Sequence, residues 1–208
     1  MSYQAISATT ATLIAVLEES FSADAELAAY FAGGANRMVS PRTPQEMTEA
    51  EQGGVSLWLY RIERDPELLN QPPQRVDLSH RLRRPLPLKL HYLVTPVVPA
   101  ADDVSNAPGT EQLLIGKVLQ TFHDQPELAG SQLRRALEGT GTSVRVRLEP
   151  LDLPELTSVW DALDSSYQLC ISYEVSVTLI ASETEGTRVA PVDVVLPEEG
   201  LITAVSGP

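Results

Sequence analysis

A single cysteine, Cys170, stands in the 208-residue chain, so no disulfide can form within it. That fits a reducing compartment. Cations are scarce too: 15 Lys and Arg against 28 Asp and Glu give a formal net charge of -13. A chain this acidic repels phosphate backbones and anionic lipid surfaces, so neither nucleic acid nor a membrane is expected as a partner. No apolar run approaches the roughly 20 residues that span a bilayer, and the first residues lack a basic stretch, an apolar stretch and a cleavage site. The expectation is synthesis in the cytoplasm. Chemistry-bearing motifs are missing as well. There is no Walker loop, no G-x-G-x-x-G and no G-x-S-x-G elbow. His80, His91 and His123 share no metal-ligand spacing and read as solvated or strand-face residues. Cys170 has no assignable base and reads as a packed thiol. No catalytic residue, metal ligand or cofactor is expected.

What is present is a globular composition, 43% hydrophobic and 21% charged. Ile6, Leu13, Ile14, Leu17 and Phe21 recur at helical spacing. Residues 33–54 carry Gly, Pro and charge without a period, which reads as a loop holding at most a short strand or turn. Val55–Glu63 is apolar on both faces, with Val55, Leu57 and Leu59 opposed to Trp58, Tyr60 and Ile62. Leu86, Leu88, Leu90, Tyr92 and Val94 alternate with polar residues up to Pro96, which should end that strand. Thr110 is placed to cap a helix over 111–123. A short helix is expected over 131–137, a strand over 143–149 and a helix over 155–163 with Pro154 in its first turn. Tyr167, Leu169, Ile171, Tyr173, Val175, Val177 and Leu179 form one unbroken alternate row, predicting a long strand over 166–180. Strands separated by helices and long connections predict an α+β fold, a mixed sheet with packed helices. Trp58 and Trp160 both sit inside apolar patterns and are expected in the core.

Two segments run against this background. Arg75, Arg81, Arg83 and Arg84, with Lys89, crowd the approach to the second strand. They read either as a solvated hairpin answering the acidic excess or as a docking rim for an acidic partner; no aromatic platform for nucleic acid is interleaved. After Ala181 the chain is acidic and broken by Pro191, Pro197 and Gly200, yet keeps β-branched runs at 192–196 and 201–205. Residues 182–208 read either as a disordered end or as an extended tail that donates a strand, with Val192, Val194 and Leu196 as its apolar row. Residues 1–181 then form the α+β domain.

The order of VSLWLYRIERDPELLNQ, RRPLPLKLHYLVTP, EQLLIGKVLQTFHDQPEL, ELTSVWDAL and SYQLCISYEVSVTLI resembles the tail-terminator or cap family of phage-tail-like contractile injection systems. The markers are Leu59 to Asn70, Leu90 to Pro96 and Leu156 to Leu163, within a resemblance over about residues 5–181. It implies a structural protein in a tail-like particle: a ring, a homohexamer by expectation, that docks on inner-tube subunits, ends the tube and grips the last layer of sheath subunits. It supplies no catalytic residues and no cofactor. Two other classes stay open on the residues alone: an enzyme with an unrecognised site, and a free-standing binding module or chaperone for a secreted cargo.

Overall fold

Alternating apolar residues build the sheet, and helices with one apolar stripe close its first face. In the computed structural model, residues 3–34, 36–66, 80–81, 86–99, 107–180 and 187–188 are described, with backbone alone at 80–81, 177–180 and 187–188. In chain order the elements are α1 (Ala5–Ala23), α2 (Ala25–Ala32), β1 (Arg37–Ser40), α3 (Pro44–Glu49), β2 (Gly53–Arg64), β3 (His80–Arg81), β4 (Leu86–Val97), α4 (Ala107–Asp124), β5 (Glu127–Ala129), β6 (Ser143–Glu149), α5 (Leu153–Ala162), β7 (Ile171–Ile180) and β8 (Thr187–Arg188). Six strands form one sheet in the order β1-β2-β4-β7-β6-β5. β1 and β2 are parallel and the other pairs antiparallel, so the sheet is mixed and the fold is α+β.

The chain divides into two units. Residues 1–71 and 85–181 form the sheet and its helices, and residues 72–84 and 182–208 form the second. Within the second unit β3 and β8 pair antiparallel, Arg81 opposite Thr187 and His80 opposite Arg188.

On the first face of the sheet, Val55, Leu57, Leu90, Tyr92, Val94, Val144, Val146, Tyr173 and Val175 pack against α1 and α4 in one core cluster. α1 buries Ala5, Ala8, Thr9, Thr12, Leu13, Val16, Leu17 and Phe21, a stripe rich in small residues. The Thr9 and Thr12 hydroxyls donate to the Ala5 and Ala8 carbonyls, which satisfies them in the core. Ile6 and Ile14 lie at the margin of this stripe, partly buried. At the β1–β2 junction Gly54 has φ 114 and pairs with Met38. A Cβ there would overlap the Met38 carbonyl oxygen, so the position requires glycine.

Several expectations change. α4 starts at Ala107, with Pro108 in its first turn, so Thr110 lies inside the helix and does not cap it. Pro96 sits within β4 opposite Val55, while the register with β7 ends at Val94. β7 does not reach the proline, so its missing N–H breaks no bond on that side. The stretch 131–137 is two 3-10 turns, because Leu133 and Arg134 are extended and Arg135 has φ 56. β7 begins at Ile171; Tyr167 and Leu169 lie before it, exposed, and Tyr167 rests edge-on against Trp160. The parity of β2 also changes midway. Leu59 faces Tyr92 and Arg61 faces His91, leaving Tyr60 as a bulge. The extra residue puts Ile62 opposite Leu90, on the helix face, not beside Trp58 and Tyr60.

Candidate functional site

The second face of the sheet holds the polar chemistry. Adjacent strands set its residues in rows. Across β6, β7, β4 and β2 one row reads Arg145, Ser176, Lys89 and Glu63, and the next reads Arg147, Glu174, His91 and Arg61. A third reads Glu149, Ser172, Leu93 and Trp58. The third row marks the limit of the apolar cover, where α5 lays Trp160 onto Leu93 and Cys170, with Trp58, Tyr60, Leu156, Val159 and Leu163 around them.

α5 is placed by its own N-terminus. Asp152 and Glu155 form a reciprocal capping box, with Pro154 in the first turn. Trp160, 1% exposed, donates its indole N–H to Cys170 Sγ at 3.4 Å. Burial pushes the Cys170 thiol up, which outweighs that hydrogen bond. The cysteine is a packed thiol, as expected from sequence. Trp160 is a core residue, and Trp58 is half-buried at the edge of the same cluster.

At the centre of the face is Glu149. Its carboxylate accepts from Ser172 Oγ at 2.7 Å and Tyr60 OH at 3.2 Å, and pairs with Arg61 Nη2 at 3.0 Å. His91 Nδ1 lies 3.0 Å from both carboxylate oxygens, so this nitrogen carries the proton and donates. Arg61 Nη2, 3.1 Å from the same nitrogen, therefore shares Glu149 with the ring. Burial raises the Glu149 pKa, but the hydrogen bonds from His91 and Ser172 and the charges of His91 and Arg61 outweigh it, and the net shift is downward. Burial raises the Tyr60 phenol, which stays a neutral donor.

Serine, histidine and glutamate in contact invite a comparison with a nucleophilic triad, and the geometry excludes one. Ser172 bonds to the carboxylate, not to His91. His91 Nε2 is buried and makes no hydrogen bond among the described residues; its nearest acid is Glu63 Oε2 at 3.6 Å. No imidazole reaches the serine, and the carboxylate that does is already held by His91 and Arg61, so the group is a clamp that ties β2, β4, β6 and β7 together. Among the described residues no group of His, Cys, Asp and Glu could hold a metal ion, and no helix is long and apolar enough to cross a membrane.

Of the residues expected to meet partners, Arg75, Arg83, Arg84, Val192, Val194 and Leu196 lie outside the described residues. Arg81 is described by its backbone, on β3. Lys89 belongs to the second face of the sheet, where it pairs with Glu174 at 3.0 Å. The Glu149 clamp was not read from sequence. Alternation placed His91 and Glu149 on the polar sides of their strands, but the register that joins them is not written in either strand. The three markers of the resemblance meet here: Tyr60 and Arg61 from the first, His91 and Leu93 from the second, Trp160 from the third.

The Pvc16 N-terminal domain family model matches residues 8–193. The fold is similar to the sheath/tube terminator, in the extended state, of an extracellular contractile injection system, PVC. Identity is 19% and the TM-score 0.50, covering 90% of this chain and 64% of that one. A second likeness is to the tube-terminating cap of the anti-feeding prophage, at 20% identity and a TM-score of 0.49, covering 72% of this chain and 50% of that one. The chain therefore spans less than two thirds of the length of either protein. No curated protein matches the sequence.

Proposed function

The chain belongs to the Pvc16 N-terminal domain family, and from that premise we propose that it is the terminator of a contractile injection system. The observation that carries this reading is the family match over residues 8–193, nearly the whole chain, on a fold like that of a sheath/tube terminator. The protein works by docking and turns over no substrate. Its copies form a homohexameric ring that seats on the last layer of inner-tube subunits and anchors the last layer of sheath subunits. It is made in the cytoplasm and becomes part of a tail-like particle.

The physics of a terminator supports the assignment. Stacked rings expose an unsatisfied surface at the growing end. A terminator matches that surface on one side and offers nothing matching on the other. Such a protein needs complementary surfaces in place of a pocket, and the most polar group of its sheet, the Glu149 clamp, is spent on its own strands. The segment with Arg75, Arg81, Arg83 and Arg84 is the docking rim for an acidic neighbour.

The test is to assemble tube and sheath with and without the chain and measure length by electron microscopy. The expected result is uniform, closed ends with the chain and ragged, overlong tubes without it. Equal length distributions would overturn the reading. Reversing Arg81, Arg83 and Arg84 to Glu should leave the fold intact and weaken docking, since charge complementarity at a docking rim steers association. Normal capping by that variant would remove the rim from the proposal.

A further inference from the structure

The outer edge of β6 is only half covered. β5 pairs with Ser143–Arg145, and the Val146 N–H donates to the Pro126 carbonyl at 2.8 Å. Backbone groups of successive strand residues turn to alternate sides, so the side used by Val146 next presents the N–H and C=O of Leu148. Among the described residues no strand lies beside them. On the first face this stretch borders an apolar groove of about 640 Å³, lined by Leu119, Phe122, Pro126, Val146, Leu148 and Tyr173 among others. Leu148 is 55% exposed there. On the second face Arg145 and Arg147 stand exposed, with no ion pair among the described residues.

A strand that fits this edge has apolar residues at alternate positions and an acid between them. The chain contains one: Val192, Asp193, Val194, Val195 and Leu196, followed by Pro197, Glu198 and Glu199. We propose that residues 192–196 of one copy add as a strand to the β6 edge of the next copy. Val192, Val194 and Leu196 enter the groove, and Asp193 lies against Arg147. Leu148 supplies the main-chain bonds, the groove sets the register and the arginines select an acidic strand.

This inference rests on the ring reading. A closed ring of more than two copies is joined head to tail, each copy giving one surface and receiving on another. A donor segment and an acceptor edge on the same chain make such a contact. Thr187–Arg188 is already paired within its own chain, so the donated segment begins after it. The longer edge with no strand beside it among the described residues, 57–64 of β2, is the poorer acceptor: the Tyr60 bulge and the charges of Arg61, Glu63 and Arg64 oppose regular pairing.

The experiment mixes two single variants, Leu148→Cys and Val194→Cys, assembles them on tubes and oxidises mildly; Cys170 stays in place because it is buried. A disulfide-linked pair of chains should form in the mixture and in neither variant alone. Rings that assemble without that link would overturn strand addition and leave the terminator reading standing. A link formed only within one chain, in the double variant, would also overturn it. If light scattering on tubes detects no ring, the ring reading and this inference fall together. Arg147→Glu should weaken ring assembly several-fold, and adding Asp193→Arg should restore it; a double variant as weak as the single one would count against the register.

Discussion

On the first face of the sheet, Leu90, Tyr92, Val94 and Val175 meet two long helices through apolar contact. On the second face, the short helix α5 covers one part, and a carboxylate shared by four side chains fills the next. The helices differ accordingly. α1 has 19 residues and no side-chain cap, so tertiary burial holds it. α3 and α5, of 6 and 10 residues, each begin with a full capping box and a proline in the first turn. Area stabilises one face, and specific bonds the other. The second face should therefore be the more sensitive to single polar changes.

The largest effect is expected where the second face borrows the means of the first. Trp160 is its deepest apolar anchor, and Trp160→Ala should cost about 3–5 kcal/mol by chemical denaturation. Trp58, half-buried beside it, should cost less. If the two substitutions cost the same, α5 is not the apolar cover of this face. If Trp160→Ala leaves the melting temperature unchanged while ring assembly is lost, Trp160 serves a partner and not the core.

The Glu149 clamp comes next. Glu149→Gln keeps the shape but removes the charge that His91, Arg61 and Ser172 share, and a buried group left short of its partner costs about 1–3 kcal/mol. The loss should depend on pH. The folded pKa of Glu149 lies below the ordinary value of 4.5, so its contribution is fully present above about 4.5 and is lost as pH falls through the folded value. Urea titrations of wild type and variant between pH 7 and pH 3 should show the gap narrowing towards acid. A gap that widens in acid would mean that the carboxylate is not the stabilising form.

The first face was the more legible in sequence, and for the same physical reason. Apolar alternation marks Val55–Glu63, Leu86–Pro96 and 143–149, and the strands lie within two residues of those limits. Alternation fails where it runs on through a loop: Tyr167 and Leu169 keep the period of β7 but sit in the turn after α5. The bulge at Tyr60 has no local signal, since one extra residue in a run apolar on both faces leaves the pattern intact. α2 and α3 are too short for a period to show; their signal is the caps, Asp24 bonding the amides of Glu26 and Leu27, and Thr43 bonding Glu46. The clamp needs the register of four strands, which no single segment encodes. Resemblance reached further than period, because it drew on the order of segments that lie far apart in the chain.

The smallest effect separates the two kinds of helix. A helix of 10 residues is marginal alone, and α5 buries only Trp160 fully, so its first turn must be held locally. Asp152 accepts from the Glu155 amide at 2.9 Å, and Glu155 returns a bond to the Asp152 amide at 2.9 Å. Asp152→Ala removes half of that exchange and should cost about 1 kcal/mol. α1 has no side-chain cap to remove, so a change confined to the cap of α5 should leave it alone. Hydrogen exchange locates the difference. With Asp152→Ala the amides of 153–162 should exchange faster and the indole of Trp160 should lose protection, because the helix that carries it frays from its first turn. Amides of α1 should be unchanged by Asp152→Ala, since its buried stripe runs from Ala5 to Phe21 with the end uncapped. Unchanged exchange across 153–162 would mean that α5, like α1, is held by burial alone, and the contrast between the two faces would then rest on the Glu149 clamp only.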